Sequence, residues 1–174
     1  MLPGVEVQFS KRPGGGSIAL IERPDGVRLR LNSYDRKYAV PHDLAHFVAE
    51  RAFRIHGGLW GSIAAGAMLD SLEVVSGRLR HDRRARSEKV LRANATEFGM
   101  AEVLSGVVHL GVDRDDRTIG RALRDAWGAF RSEPCPVPPE RAVAAVAELR
   151  TLGARFAALA ADGTLRLTWP AQRR

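Results

Sequence analysis

Apolar and polar side chains alternate at the start of the chain. Val5-Glu6-Val7-Gln8-Phe9 places every second residue on one face, the pattern of a half-buried strand. The run Lys11-Arg12-Pro13-Gly14-Gly15-Gly16 breaks that alternation and predicts a flexible hairpin loop. It lacks the Gly-Lys-Ser/Thr ending and the following helix of a phosphate-binding loop. Residues 17–22 and 27–31 resume the alternation as two further strands. Arg23-Pro24-Asp25-Gly26 joins them as a turn, with Pro setting one dihedral and Gly accepting a positive one.

From Pro41 the period lengthens to that of a helix. Leu44, Phe47, Val48, Ala52 and Ile55 recur at three- and four-residue spacing, Pro41 suits the first helical position, and Gly57-Gly58 ends the element. A second helix is expected over residues 59–72, rich in small residues, and a long third over 83–110. The fourth is expected over 118–131, capped by Thr118 or Asp116. The proline-rich run from Glu133 to Pro139 leads into a last helix reaching about residue 161. Its buried stripe is Val146, Leu149, Leu152, Phe156 and Leu159, with Gly163 as a left-handed cap. Residues 164–169 alternate again as a final strand. Alone it would not be stable, so it is expected to join the N-terminal sheet. The predicted architecture is one α+β domain over residues 1–174, with strands over about 5–31 and 164–169 and helices over about 41–161. A four-stranded antiparallel sheet would pack against a layer of about five helices.

Composition narrows the class. The chain has 174 residues, 45% hydrophobic and 27% charged, which suits a globular protein with its own core. No apolar run approaches the roughly 18 residues of a bilayer span, so no membrane role is expected. The opening residues lack the order of a secretion signal, and the single Cys135 excludes an internal disulfide. A cytoplasmic location is the expectation. The net charge of +7 invites a nucleic-acid partner, but all of the 27 basic residues except Lys11, Lys37 and Lys89 are arginine. That skew fits the coding bias of a GC-rich genome. The densest basic run, Arg78 to Arg86, offers a phosphate or RNA surface but contains no aromatic residue for base stacking. Nucleic acid is therefore a disfavoured partner.

The candidate chemistry lies in His42-Asp43-Leu44-Ala45-His46. Histidines at i and i+4 on a helix are about 40° apart with about 6 Å of rise, so both imidazoles leave one face. One helix can thus offer two ligands to one metal ion, and Glu50 lies a further turn along the stripe. The five residues resemble the His-Glu-x-x-His helix of zinc metallopeptidases, with Asp in place of Glu. That resemblance implies His42 and His46 as zinc ligands and Asp43 as general base, on a side chain one methylene shorter than the family's. The wider stretch from Pro41 to Glu50, with Gly57-Gly58-Leu59-Trp60-Gly61, resembles a family of small uncharacterised actinobacterial proteins and implies no activity. Glu50 is the expected third metal ligand, although it lies about 12 Å along the axis from His42, and it would serve otherwise to orient an imidazole. His56, His81 and His109 are alternatives. Zn2+ suits two imidazoles and an oxygen ligand, with Fe2+ as the alternative. Zinc occupancy is expected to fall as pH drops through about 6. The expected function is a metal-dependent enzyme, hydrolytic in type, acting on a small molecule or peptide. The alternative is a non-catalytic binding protein whose basic helical surface meets nucleic acid, phosphate or an acidic partner.

Overall fold

Strands from both ends of the chain pair in one antiparallel sheet in the computed structural model, which describes residues 4–171. Strands β1 (Val5–Lys11), β2 (Ser17–Glu22) and β3 (Arg28–Ser33) form a meander. β5 (Leu165–Trp169) pairs with β1, Val5 facing Trp169 and Phe9 facing Leu165, as the alternation of both segments requires. A fifth strand, β4 (Leu72–Ser76), lies on the other edge beside β3, giving the order β4-β3-β2-β1-β5.

β4 corrects the expectation of four strands and of a helix over 59–72. Helix α2 (Leu59–Ala64) stops early, and Gly66, at φ +102°, turns the chain in a conformation that residues with a Cβ avoid. Only Leu72 of β4 is buried, so the strand carries little alternation to read. Register then aligns Leu72, Leu31, Ala19, Phe9 and Leu165 in one apolar row across all five strands. All five of these side chains are buried.

The other helices are α1 (His42–Phe53), α3 (Arg83–Leu110), α4 (Asp116–Phe130) and α5 (Pro139–Ala157). α1 occupies the middle of the helical layer, packed on both α3 and α5. Its Phe47 ring meets those of Phe9, Trp60 and Trp169 edge-on, with centroids 5.5–6.1 Å apart. Pro41 precedes the first turn as the N-cap, and α1 ends at Arg54, which takes a left-handed φ of 58°. Ile55, expected within the helix, is buried in the following loop.

Two expected caps are replaced. The start of α4 is capped by Asp115, whose Oδ1 accepts the Thr118 N–H at 2.8 Å, rather than by Thr118 or Asp116. α5 ends at Ala157, and Gly163 is not among the positive-φ glycines of the described residues. The last carbonyls are met instead by Lys11 at the end of β1. Its ammonium donates to the oxygens of Ala157 at 2.7 Å and Leu159 at 2.8 Å. Lys11→Met keeps the aliphatic stem and removes both bonds. It should lower stability by about 1 kcal/mol in urea unfolding, and an unchanged midpoint would remove the lysine cap.

Candidate metal centre

α1 and α3 run antiparallel, and each turns two polar residues toward the other. His42 and His46 on α1 are four residues apart, and Glu102 and His109 on α3 are seven apart, close to two full turns. His42 meets His109, Nδ1 to Nδ1 at 3.3 Å, and His46 Nε2 faces Glu102 Oε2 at 3.6 Å. The His42 and His46 rings lie 4.8 Å apart between centroids. One ligand atom from each of His42, His46 and Glu102 lies within 4.8 Å of the others. A tetrahedral ion with bonds of about 2.0–2.1 Å holds its ligands about 3.4 Å apart, so closure needs only small side-chain rotations. Glu102 can supply them, since its side chain is 53% exposed while that of His46 is 2% exposed.

Hydrogen bonding at the back of the site sets the tautomers. His109 Nε2–H donates to the Val40 carbonyl at 2.8 Å, so its Nδ1 accepts from His42 Nδ1–H. His46 Nδ1–H donates to Glu50 Oε1 at 3.1 Å. His42 and His46 therefore each have Nδ1 engaged, and the His46 Nε2 faces Glu102. Tyr38 lies edge-on to the His109 ring, at 4.6 Å between centroids.

Glu50, the expected third ligand, stands behind His46 rather than in the cluster. It is fully buried and also accepts the N–H groups of Leu59 at 2.9 Å and Trp60 at 3.0 Å, the first residues of α2. Its place depends on Gly58, where a Cβ would fall 2.3 Å from the Glu50 carboxyl carbon. The carboxylate that does face the two histidines is Glu102, 56 residues beyond His46 and absent from the expected set. Asp43 is outside the ligand group but three residues from His46 on α1, and its main-chain oxygen accepts the Trp60 indole N–H at 3.0 Å. Neither His56 nor His81 belongs to the cluster.

The charges respond to this packing. Burial works against a charged His46, but the hydrogen bonds and charges of Glu102 and Glu50 outweigh it and raise its pKa to about 9. Burial, aided by the charges of His46 and His109, holds His42 below its ordinary value. The bond to His46 keeps Glu102 below the usual carboxylate range. Burial pushes Glu50 up, against its three donors, and pushes Asp43 up to about 6. The resting site thus holds a protonated His46 between Glu102 and Glu50. No family model, curated protein or solved structure matches the chain, so the geometry alone defines the site. Among the described residues no helix is long and apolar enough to cross a membrane.

His46 binds its proton more tightly in the folded chain than at its ordinary value of 6.5. The stability this contributes is complete below about 6.5 and is lost as pH rises through about 9. Asp43 acts at lower pH, its contribution being lost as pH rises through about 6. In metal-free protein the unfolding free energy should therefore decline between roughly pH 7 and 9, and His46→Gln should flatten that decline. A slope unchanged in the variant would show that His46 is not its source.

Proposed function

We propose that the chain is a metal-dependent hydrolase in which His42, His46 and Glu102 hold a divalent transition-metal ion. The observation that carries this reading is the convergence of one ligand atom each from His42, His46 and Glu102, with each imidazole backed by a partner on Nδ1. Two imidazoles, one carboxylate and a solvent-facing side match the donor set of catalytic zinc, and also that of iron(II). Zn2+ is the proposed ion, with Fe2+ as the alternative. Bound there, such an ion would polarise a substrate oxygen and acidify water.

The chain's own groups supply the rest. Glu50 and His109 orient the ligand rings. Asp43, partly exposed on the same helix, is the proposed general base and acid, accepting a proton from attacking water and passing it to the leaving group. The exposed side of Glu102 leaves an approach for a small molecule or a peptide.

Metal must displace the proton from His46, so affinity should strengthen as pH rises toward about 9. This moves the pH dependence well above the value near 6 expected for unperturbed imidazoles. Titration of Zn2+ into metal-free protein should release a proton near neutral pH, read with buffers of different ionisation enthalpy. His42→Ala, His46→Ala and Glu102→Gln should remove micromolar binding, while Glu50→Gln should weaken it by about tenfold or more. Asp43→Asn should keep the metal and lose hydrolysis of an ester and peptide panel by about a hundredfold. A wild-type chain that takes up no transition metal at micromolar concentration would overturn the proposal, and an Asp43→Asn protein with full activity would overturn the base.

A further inference from the structure

Away from α1, the start of α3 and the end of α2 line a half-open cavity of about 420 Å³, bordered also by the β2–β3 turn and the two termini of the described chain. It shares no residue with the histidine cluster. Its volume is within the range of small-molecule sites. Four arginines line it: Arg23 from the turn, Arg80 just before α3, and Arg83 and Arg86 in the first turns of that helix.

Their partners decide the charge on offer. Arg23 is clamped by Asp25, with Nε to Oδ1 at 3.1 Å and a second contact from Nη2 to Oδ2. Arg80 is paired with Asp82, Nε to Oδ1 at 3.1 Å. These two pairs are close to neutral. Arg83 and Arg86 have no side-chain hydrogen bond or ion pair among the described residues. Two positive charges are therefore left beside one cavity.

A second observation is independent of that count. The Arg23 side chain is only 8% exposed, and its Nη1 is buried with no hydrogen-bond partner among the described residues. A buried guanidinium N–H without an acceptor is costly, and a small rotation of Arg23 toward the cavity it lines would offer that N–H to an anionic oxygen. The walls are held in place. Ser87 Oγ accepts from Met68 N at 2.8 Å and donates to Met68 O at 3.2 Å, tying α3 to the loop after α2. Gly66 lets the chain pass close to Arg86, whose Nε would lie 3.2 Å from a Cβ at that position. The remaining lining is largely apolar, with Pro24, Ala64, Met68, Leu79 and Pro170.

We infer that this cavity binds a small phosphomonoester with an apolar body. The dianion matches the two unpaired arginines, Arg23 can turn its unpartnered N–H toward it, and the apolar walls take the organic group. The cavity is independent of the metal centre, and either site stands if the other fails.

Calorimetric titration of metal-free, chelator-treated protein with phenyl phosphate tests the inference, with inorganic phosphate and phenol as partial ligands. Phenyl phosphate should bind about tenfold or more tightly than either part. The double variant Arg83→Gln/Arg86→Gln, on exposed positions that leave the core intact, should lose about tenfold or more, while Arg92→Gln further along α3 should bind as wild type. Met68→Ala should weaken phenyl phosphate and leave inorganic phosphate unchanged. Absence of binding at millimolar phenyl phosphate would overturn the site. Equal affinity for inorganic phosphate, or equal loss in Arg92→Gln, would reduce it to a general basic surface. Tighter binding of a single-stranded oligonucleotide than of phenyl phosphate, sensitive to Arg92, would replace the small ligand with nucleic acid.

Discussion

The carboxylate of Glu50 is the interaction on which the rest of the helical layer depends. A fully buried carboxylate is tolerated only when its oxygens are engaged, and here three donors reach it: the His46 ring and the N–H groups of Leu59 and Trp60. Those last two are orphan donors at the start of α2, which lacks a side-chain cap of its own. One side chain thus sets where α2 begins, holds Trp60 against Phe9 and Phe47, and turns the His46 ring so that Nε2 points away toward α3. The absence of a Cβ at Gly58 is a condition of all three.

From that anchor the site follows by helix geometry. α1 is buried on almost every side, yet it carries His46 and Glu50 among Leu44, Phe47 and Val48. α3 answers with His109 opposite His42 and Glu102 opposite His46. An antiparallel pair of helices converts the spacing of four residues on one and seven on the other into a single cluster. Loop closure plays no part at His42, His46 and Glu102, which sit on rigid elements where positions are held more exactly than on loops.

Legibility in the sequence tracks how local each interaction is. The three N-terminal strands, the C-terminal strand and the long α3 all announce themselves through period and turn chemistry within a few residues. β4 does not, because an edge strand with one buried residue needs only a partner, and its alternation is faint. The histidine pair was legible because i and i+4 on one helix is a local relation. Glu102 was not, since nothing near it in the chain marks it. The available signal was weaker: Glu102 and His109 fall on the α3 stripe that otherwise carries Ala101, Leu104, Ser105 and Val108, all buried. Glu50 read as a ligand because it shares the stripe of the histidines, but the rise of α1 carries it past the cluster and onto the start of α2. Gly163 read as a cap because Asp-Gly after a helical run usually turns left-handed, whereas a lysine from a distant strand had already met the carbonyls of α5.

A buried polar cluster costs stability compared with apolar packing of the same volume, and structural ion pairs avoid part of that cost by closing on themselves. The cluster between α1 and α3 closes only loosely on its outer side. Its back is complete, with Val40, His109 and Glu50 satisfying one nitrogen of each ring. Its front ends on Glu102, whose pair with His46 spans 3.6 Å and whose side chain is half exposed. A network built for rigidity alone would place its best partner where water is excluded. Here the fixed contacts are all on the inner side and the adjustable carboxylate faces solvent, so the group free to move is the one that would have to close on an ion between the rings and Glu102.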